Sequence, residues 1–250
     1  SACWKTWTFA RLSRAKVHVF QHADPEHLQG LLRAFRTDGR RAFIVTDSVF
    51  SMDGDEAPLG ELRALADGSD AALIVDEAHA IGVLGPSGRG VADDLGVRVE
   101  VRIGTLGKSF GSAGAFAAGP ASVIELLRQR ARSFVFSTAP LPLTARVAVV
   151  AADIVEAADD ARKTLAAHGS RLRRALRAQG YVVPDGRSAI VPLLVGDEQR
   201  TMALSAAAFD RGVLAQGIRP PTVAPGTCRI RVVPIATHTS ADLDFAIAAF

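Results

Sequence analysis

Lys108 stands in "GTLGKSFGSAGAF", residues 104–116, among small residues and directly after the apolar-leaning run "VEVRIG". Two kinds of chemistry use a lysine placed this way. A phosphate-cradling loop of the pattern GxxxxGK[ST] would use Gly107, Lys108 and Ser109, but it needs a glycine six residues before the lysine, where this chain has Arg102. The other chemistry is nucleophilic. An amine held in tight, apolar surroundings stays neutral and can form a Schiff base with a carbonyl. That reading needs partners, and "VDEAH" offers two: Asp76 at the end of an apolar run and His79 three residues on. A zinc site is not expected from this pair, because no third ligand is near and "EAH" is not the HExxH helix. His18 and His22 are four apart, but "VHVFQH" reads as a strand, so they do not share a helix face; no metal site is predicted.

The elements that must position these residues alternate. Residues 17–22 and 41–50 read as strands, with "PEHLQGLLRAF", residues 25–35, at helical spacing between them. A second helix is expected over 58–67, a third strand running into a loop over 71–79, and a fourth strand over 99–106. Apolar strands separated by helices predict a largely parallel sheet covered on both faces, with ligands beyond the strand carboxyl ends. From about Pro142 an alanine-rich run predicts helix, broken near His168 and Gly169. The segments "YVVP", "AIVPLLVG", "TMALSAAAFDRG" and "CRIRVVPI" then predict a smaller α+β unit, so the expected division is 1–150 and 151–250.

Composition narrows the function classes. A chain of 250 residues, 48% hydrophobic and 22% charged, can bury a sizeable core. Its 29 basic and 26 acidic residues nearly balance and are dispersed, which argues against nucleic acid as a partner. Apolar runs such as "VAVVAADIV" are interrupted by charge, and "SACWKTWTF" lacks the apolar core of a signal peptide, so neither membrane insertion nor export is expected. Two distant cysteines, Cys3 and Cys228, suit a reducing, cytoplasmic setting.

An acid at one strand end, a histidine three residues later and a lysine after the next strand fit a pyridoxal phosphate site, where the lysine binds the cofactor and the acid pairs with the pyridine nitrogen. At these residues the sequence resembles the α-oxoamine synthases, which are fold-type I pyridoxal phosphate enzymes. The resemblance rests on "VTDSVFSMDGDEAPL", "VDEAHAIGVLGPSGRG", "GTLGKSFGSAGAF", "FSTAPLP" and "GIRPPTVAPGTCRIRV", in that order, and covers Ala10 to Phe250. It implies a fold-type I α/β architecture: a mostly parallel sheet covered by helices, and a smaller C-terminal α+β domain. It also implies cofactor contacts from Ser51, Asp76, His79, Thr105 and Lys108, with Lys108 as the acid and base of the reaction. Thr222 would lie beside the substrate. Arg231 would bind the carboxylate of the amino acid, and Arg229, on the same strand face, is its rival.

Within the family, "FSTAPLP" and "IRPPTV" are most similar to the member of biotin biosynthesis that condenses L-alanine with pimeloyl-CoA or a pimeloyl carrier protein. The alternatives are the 2-amino-3-ketobutyrate ligase type and a non-catalytic partner subunit of the same fold. The resemblance further implies a homodimer, and it places the family's N-terminal part, which supplies a phosphate-binding turn and early strands, ahead of the point where this sequence begins, so the large domain is expected to be truncated. The same resemblance places Cys3 where the family has a histidine stacked on the cofactor ring.

Overall fold

A computed structural model describes residues 11–35 and 39–250 of the chain. Cys3 and the opening "SACWKTWTF" lie outside the described residues. Helix α1 (Pro25–Phe35) starts where Asp24 Oδ1 accepts the His27 N–H at 2.9 Å. There follow β1 (Ala42–Asp47), α2 (Leu59–Gly68), β2 (Ala71–Asp76), the short α3 (Val91–Asp94), β3 (Val101–Thr105) and β4 (Ala115–Ala118). The sheet order is β1-β2-β3-β4; the first three strands are parallel and β4 returns antiparallel to β3. The register brings Asp47 opposite Asp76, and Asp76 opposite Ile103, so three strands end together. Leu59, Leu62, Leu73, Val75 and Ile44 are buried against one another and fix β1 and β2 under α2.

Two expectations are corrected here. Residues 17–20 form no strand. A cleft of about 840 Å³ separates residues 13–23 from β1, and across that gap the segment has no strand within hydrogen-bonding reach among the described residues. The alanine-rich run breaks at Ala158, ten residues before the expected site. Helix α6 (Pro142–Ala157), which follows α4 (Ala121–Arg130) and α5 (Arg132–Val135), ends there, and α7 (Asp159–Ala178) begins at once. Arg162 fixes the junction by donating to the carbonyls of Val155 and, at 3.1 Å, Glu156, while also pairing with Asp159. Gly169 instead lies inside α7, where a Cβ would stand 3.0 Å from Arg173 Nη1. The glycine leaves room for that guanidinium to reach the carbonyls of Ser188 and Ile190, both at 2.8 Å.

The C-terminal unit is an antiparallel sheet, order β5-β7-β6, made of β5 (Val191–Gly196), β6 (Gln216–Ile218) and β7 (Cys228–Val232). Helices α7, α8 (Glu198–Asp210) and α9 (Ser240–Ala248) accompany it. Asp197 caps α8 through the Arg200 N–H, and Thr239 with Asp242 forms a capping box on α9. Leu172, Leu176, Leu193, Ile230 and Leu243 make its core. The whole is an α/β fold with a mixed, mostly parallel sheet flanked by helices and a smaller antiparallel C-terminal sheet. Among the described residues no helix is long and apolar enough to cross a membrane.

Candidate active site

Asp76 is the last residue of β2, and its Oδ1 accepts the Ala78 N–H at 2.8 Å, which turns the chain sharply away from the sheet. The second carboxylate oxygen has no protein donor among the described residues. The turn after Asp76 is held from below. The Glu77 side chain is fully buried and accepts three hydrogen bonds: from Ser48 Oγ at 2.6 Å, from the Val91 N–H at 3.1 Å and from the Ala92 N–H at 2.9 Å. A carboxylate without those donors could not remain in such a place. Its backbone N–H also donates to the Ile103 carbonyl at 2.8 Å, which ties the turn to β3.

That support presents His79 to the lysine loop. Lys108 Nζ lies 3.0 Å from His79 Nε2 across a sequence gap of 29 residues. Ser109 Oγ donates to the Ile81 carbonyl at 2.8 Å and binds the two loops together. Thr105, at the end of β3, engages its own loop, with its hydroxyl 3.4 Å from both the Gly114 carbonyl and the Gly107 nitrogen. The surroundings of Lys108 differ from the expected tight, apolar ones. The side chain is exposed, and so are Gly107, Ser109 and Gly111. The loop extends past the last pair of the β3–β4 ladder, Thr105 with Ala115, and the described residues do not cover it.

A second group forms where β7 meets the first unit. Arg231 is half-buried, and burial pushes its guanidinium below arginine's usual range. It donates to the Ser51 carbonyl at 3.1 Å and has no carboxylate partner among the described residues. Arg229 is only 5% exposed, pairs with Asp53, and donates twice to the Thr227 carbonyl, at 3.0 and 2.8 Å. Thr222 is exposed; its N–H donates to the Arg219 carbonyl at 3.0 Å, and no hydrogen bond joins its side chain to the other candidates among the described residues. The structure thus brings Lys108 to His79 and Arg231 to Ser51.

Sequence reasoning missed Glu77, although it stands inside "VDEAH" and an acid at the end of an apolar run is itself a signal. It also missed the Asp53–Arg229 pair, whose members are 176 residues apart and share no pattern. The described residues further gather His22, Asp53 and Asp55, with ligand-type atoms within 4.8 Å of one another. Arg229 already supplies a positive charge there, through its contact with Asp53.

Strand ends bearing an acid, an imidazole and an amine, with an arginine on a separate small sheet, define an α/β transferase architecture of fold-type I. The chain matches the aminotransferase class I and II model over residues 7–250 and belongs to that family. It is 47% identical over 244 residues to the 8-amino-7-oxononanoate synthase of Geotalea daltonii, and 48% identical over 240 residues to that of Anaeromyxobacter dehalogenans strain 2CP-1. These alignments cover 96% and 95% of this chain but 62% and 60% of the relatives, so the chain spans about three-fifths of their length. Among solved structures, a Sphingomonas wittichii serine palmitoyltransferase superposes with TM-score 0.93 at 29% identity, covering 97% of this chain and 62% of that one. A serine palmitoyltransferase from S. paucimobilis with a bound PLP–myriocin aldimine gives 0.91 at 29% identity, over 94% and 60%. The 8-amino-7-oxononanoate synthase of Francisella tularensis gives 0.85 at 25% identity, over 99% and 71%.

Proposed function

We propose that this chain carries the pyridoxal phosphate-dependent chemistry of an 8-amino-7-oxononanoate synthase, condensing L-alanine with pimeloyl-CoA or a pimeloyl carrier protein and releasing carbon dioxide. The observation that carries this reading is the 3.0 Å contact between Lys108 Nζ and His79 Nε2, made beside the end of the strand that holds Asp76. The named relatives support the choice of substrates.

The donor set has the chemistry the cofactor requires. Lys108 offers an amine for its aldehyde carbon, His79 an imidazole for its phenolic oxygen, and Asp76 a carboxylate oxygen that has no protein donor among the described residues. The hydroxyls of Ser51 and Thr105 can donate to ring or phosphate oxygens without adding a charge. When bound there, pyridoxal phosphate supplies an electron sink for the negative charge that develops at the amino acid α-carbon.

The chain's own residues supply the rest. Arg231 presents a guanidinium fork that matches the planar carboxylate of alanine, whereas Arg229 is occupied by Asp53 and Thr227. Lys108 removes the α-proton and later returns a proton to the same carbon. Between those steps the α-carbon bonds to the thioester carbonyl, the sulfur leaves as a thiolate that takes a proton from solvent, and the bond from the α-carbon to the carboxylate breaks to release carbon dioxide. The exposed lysine loop needs cover for this chemistry. We assign that cover to a second copy of the chain. Ser112 Oγ donates to the Thr144 carbonyl at 2.9 Å, so α6, which buries none of its residues, starts beside the loop.

The test is the visible absorption spectrum of the purified chain with added pyridoxal phosphate, followed by borohydride reduction and peptide mapping. The expected result is a band near the Schiff-base region, perturbed by L-alanine, with the label on the peptide that contains Lys108. Labelling scattered over other lysines would overturn the proposal.

A further inference from the structure

Four residues of one loop, 51–56, are each held by a different group of the C-terminal unit. Arg231 Nη1 donates to the Ser51 carbonyl at 3.1 Å, and Arg229 pairs with Asp53. Ser188 Oγ donates to the Gly54 carbonyl at 2.6 Å. Arg187 grips both oxygens of Glu56, each at 2.8 Å, and also bonds Asp94 at 2.5 Å. The loop lies so close to the second unit that a Cβ on Gly54 would stand 2.6 Å from the Ile190 carbonyl, and its φ of +70° is one that glycine adopts freely.

Of these contacts, one bears directly on the substrate arginine. Arg229 and Arg231 alternate along β7 and therefore point to the same face. Arg229 is fixed at both sides, by Asp53 on the loop and by the Thr227 carbonyl on its own approach to the strand. Arg231 has a single protein acceptor among the described residues, a carbonyl of that same loop. Arg229 is buried while Asp53 stays partly exposed, so separating the pair strands the guanidinium charge away from water and makes the pair a spacer.

We propose that Asp53 and Arg229 are positioning residues for the amino acid site. They set β7 against loop 51–56 so that the remaining donors of Arg231 meet the carboxylate of the amino acid. Neither touches substrate. The inference rests on the proposed function for its ligand, and on the loop contacts for its geometry.

The experiment uses the full chain loaded with pyridoxal phosphate, titrated with L-alanine by absorbance. Asp53→Asn should weaken alanine binding by about 10- to 100-fold, the scale of a substrate clamp misplaced by roughly 1 Å, and leave affinity for pyridoxal phosphate within about twofold. Asp53→Glu, which keeps the charge, should restore most of the loss. Arg231→Lys should weaken alanine binding in the parent chain and add little in the Asp53→Asn background, because both changes disable one contact.

A second readout needs no cofactor. In Asp53→Asn, hydrogen exchange should accelerate at the Gly54 and Ala57 amides, which donate to the Phe50 and Ser48 carbonyls at 2.8 and 3.0 Å, and stay unchanged in β2. Unchanged alanine affinity would overturn the proposal, as would alanine and cofactor affinities falling together with the melting temperature. If alanine leaves the spectrum of the parent chain unchanged, the proposed function fails, and unaltered exchange at Gly54 and Ala57 would then overturn the positioning role as well.

Discussion

Replacing Glu77 tests how the turn between Asp76 and His79 is held. Its Oε2 accepts from Ser48 Oγ and the Val91 N–H, and its Oε1 from the Ala92 N–H. Glutamine at this position offers one acceptor oxygen and one amide nitrogen. If the oxygen takes the place of Oε2, the amide NH₂ faces the Ala92 N–H; if it takes the place of Oε1, the NH₂ faces the Val91 N–H. Either way a buried backbone donor loses its acceptor and meets another donor. Loss of one charge-assisted bond costs about 1.5–3 kcal/mol, so Glu77→Gln should destabilise by about 2–3 kcal/mol. Glu77→Ala strands all three donors and should cost about 4–6 kcal/mol, a large part of the roughly 5–15 kcal/mol that holds a domain together. Ser48→Ala leaves both backbone donors satisfied and should cost about 1.5 kcal/mol. Equilibrium unfolding in urea, followed by circular dichroism, reads all three. A Glu77→Gln chain within about 0.5 kcal/mol of the parent would refute the reasoning, since a buried carboxylate with three donors cannot be replaced that cheaply.

Two further outcomes follow from other parts of the molecule. Burial alone would raise the Glu100 carboxyl, but the Leu73 N–H at 2.6 Å and the Arg63 guanidinium at 2.8 Å outweigh it and hold it below the usual carboxylate range. A depressed folded-state value gives stability that is complete above the unfolded value, about 4.3, and is lost as pH falls through the lower folded one. The urea midpoint should therefore fall below about pH 4.3, and Glu100→Gln should flatten that fall; an identical pH profile in the variant would refute it. On α6, Leu143, Val147, Val150 and Ile154 share one face at helical spacing, and all four are exposed. Light scattering should show mass rising with concentration, and the double variant Val150→Glu/Ile154→Glu should reduce it; a parent chain that stays monomeric at every concentration would count against a covered α6.

Local signals in the sequence were sufficient where the deciding interactions are local. The spacing of "PEHLQGLLRAF" and its leading proline predict α1 at the bounds observed, because amphipathic period and first-turn chemistry are properties of the segment itself. The same holds for β2, whose apolar run ends at the acid that turns the chain. It fails for residues 17–22, which have strand composition and no strand. A strand is completed by a neighbour, and the neighbour on that side is a cleft. It fails again at Gly169. A glycine in a long helix reads as a break, but this one makes room for Arg173 to cross to the next segment, a use visible only once both segments are in place.

The site divides along the same line. The approach of Lys108 to His79 was legible because parallel strands bring their carboxyl ends together, so two short motifs, "VDEAH" and "GTLGKSFGSAGAF", sufficed to place the pair. The choice between Arg229 and Arg231 was not, because alternation puts both on one face of β7. Asp53 decides it. By pairing with the buried Arg229 it occupies that guanidinium and leaves Arg231, whose one protein acceptor among the described residues is a loop carbonyl, as the arginine proposed for the substrate. An acid 176 residues away is thus what separates two arginines that the sequence could not tell apart, and it supports the proposed choice of Arg231.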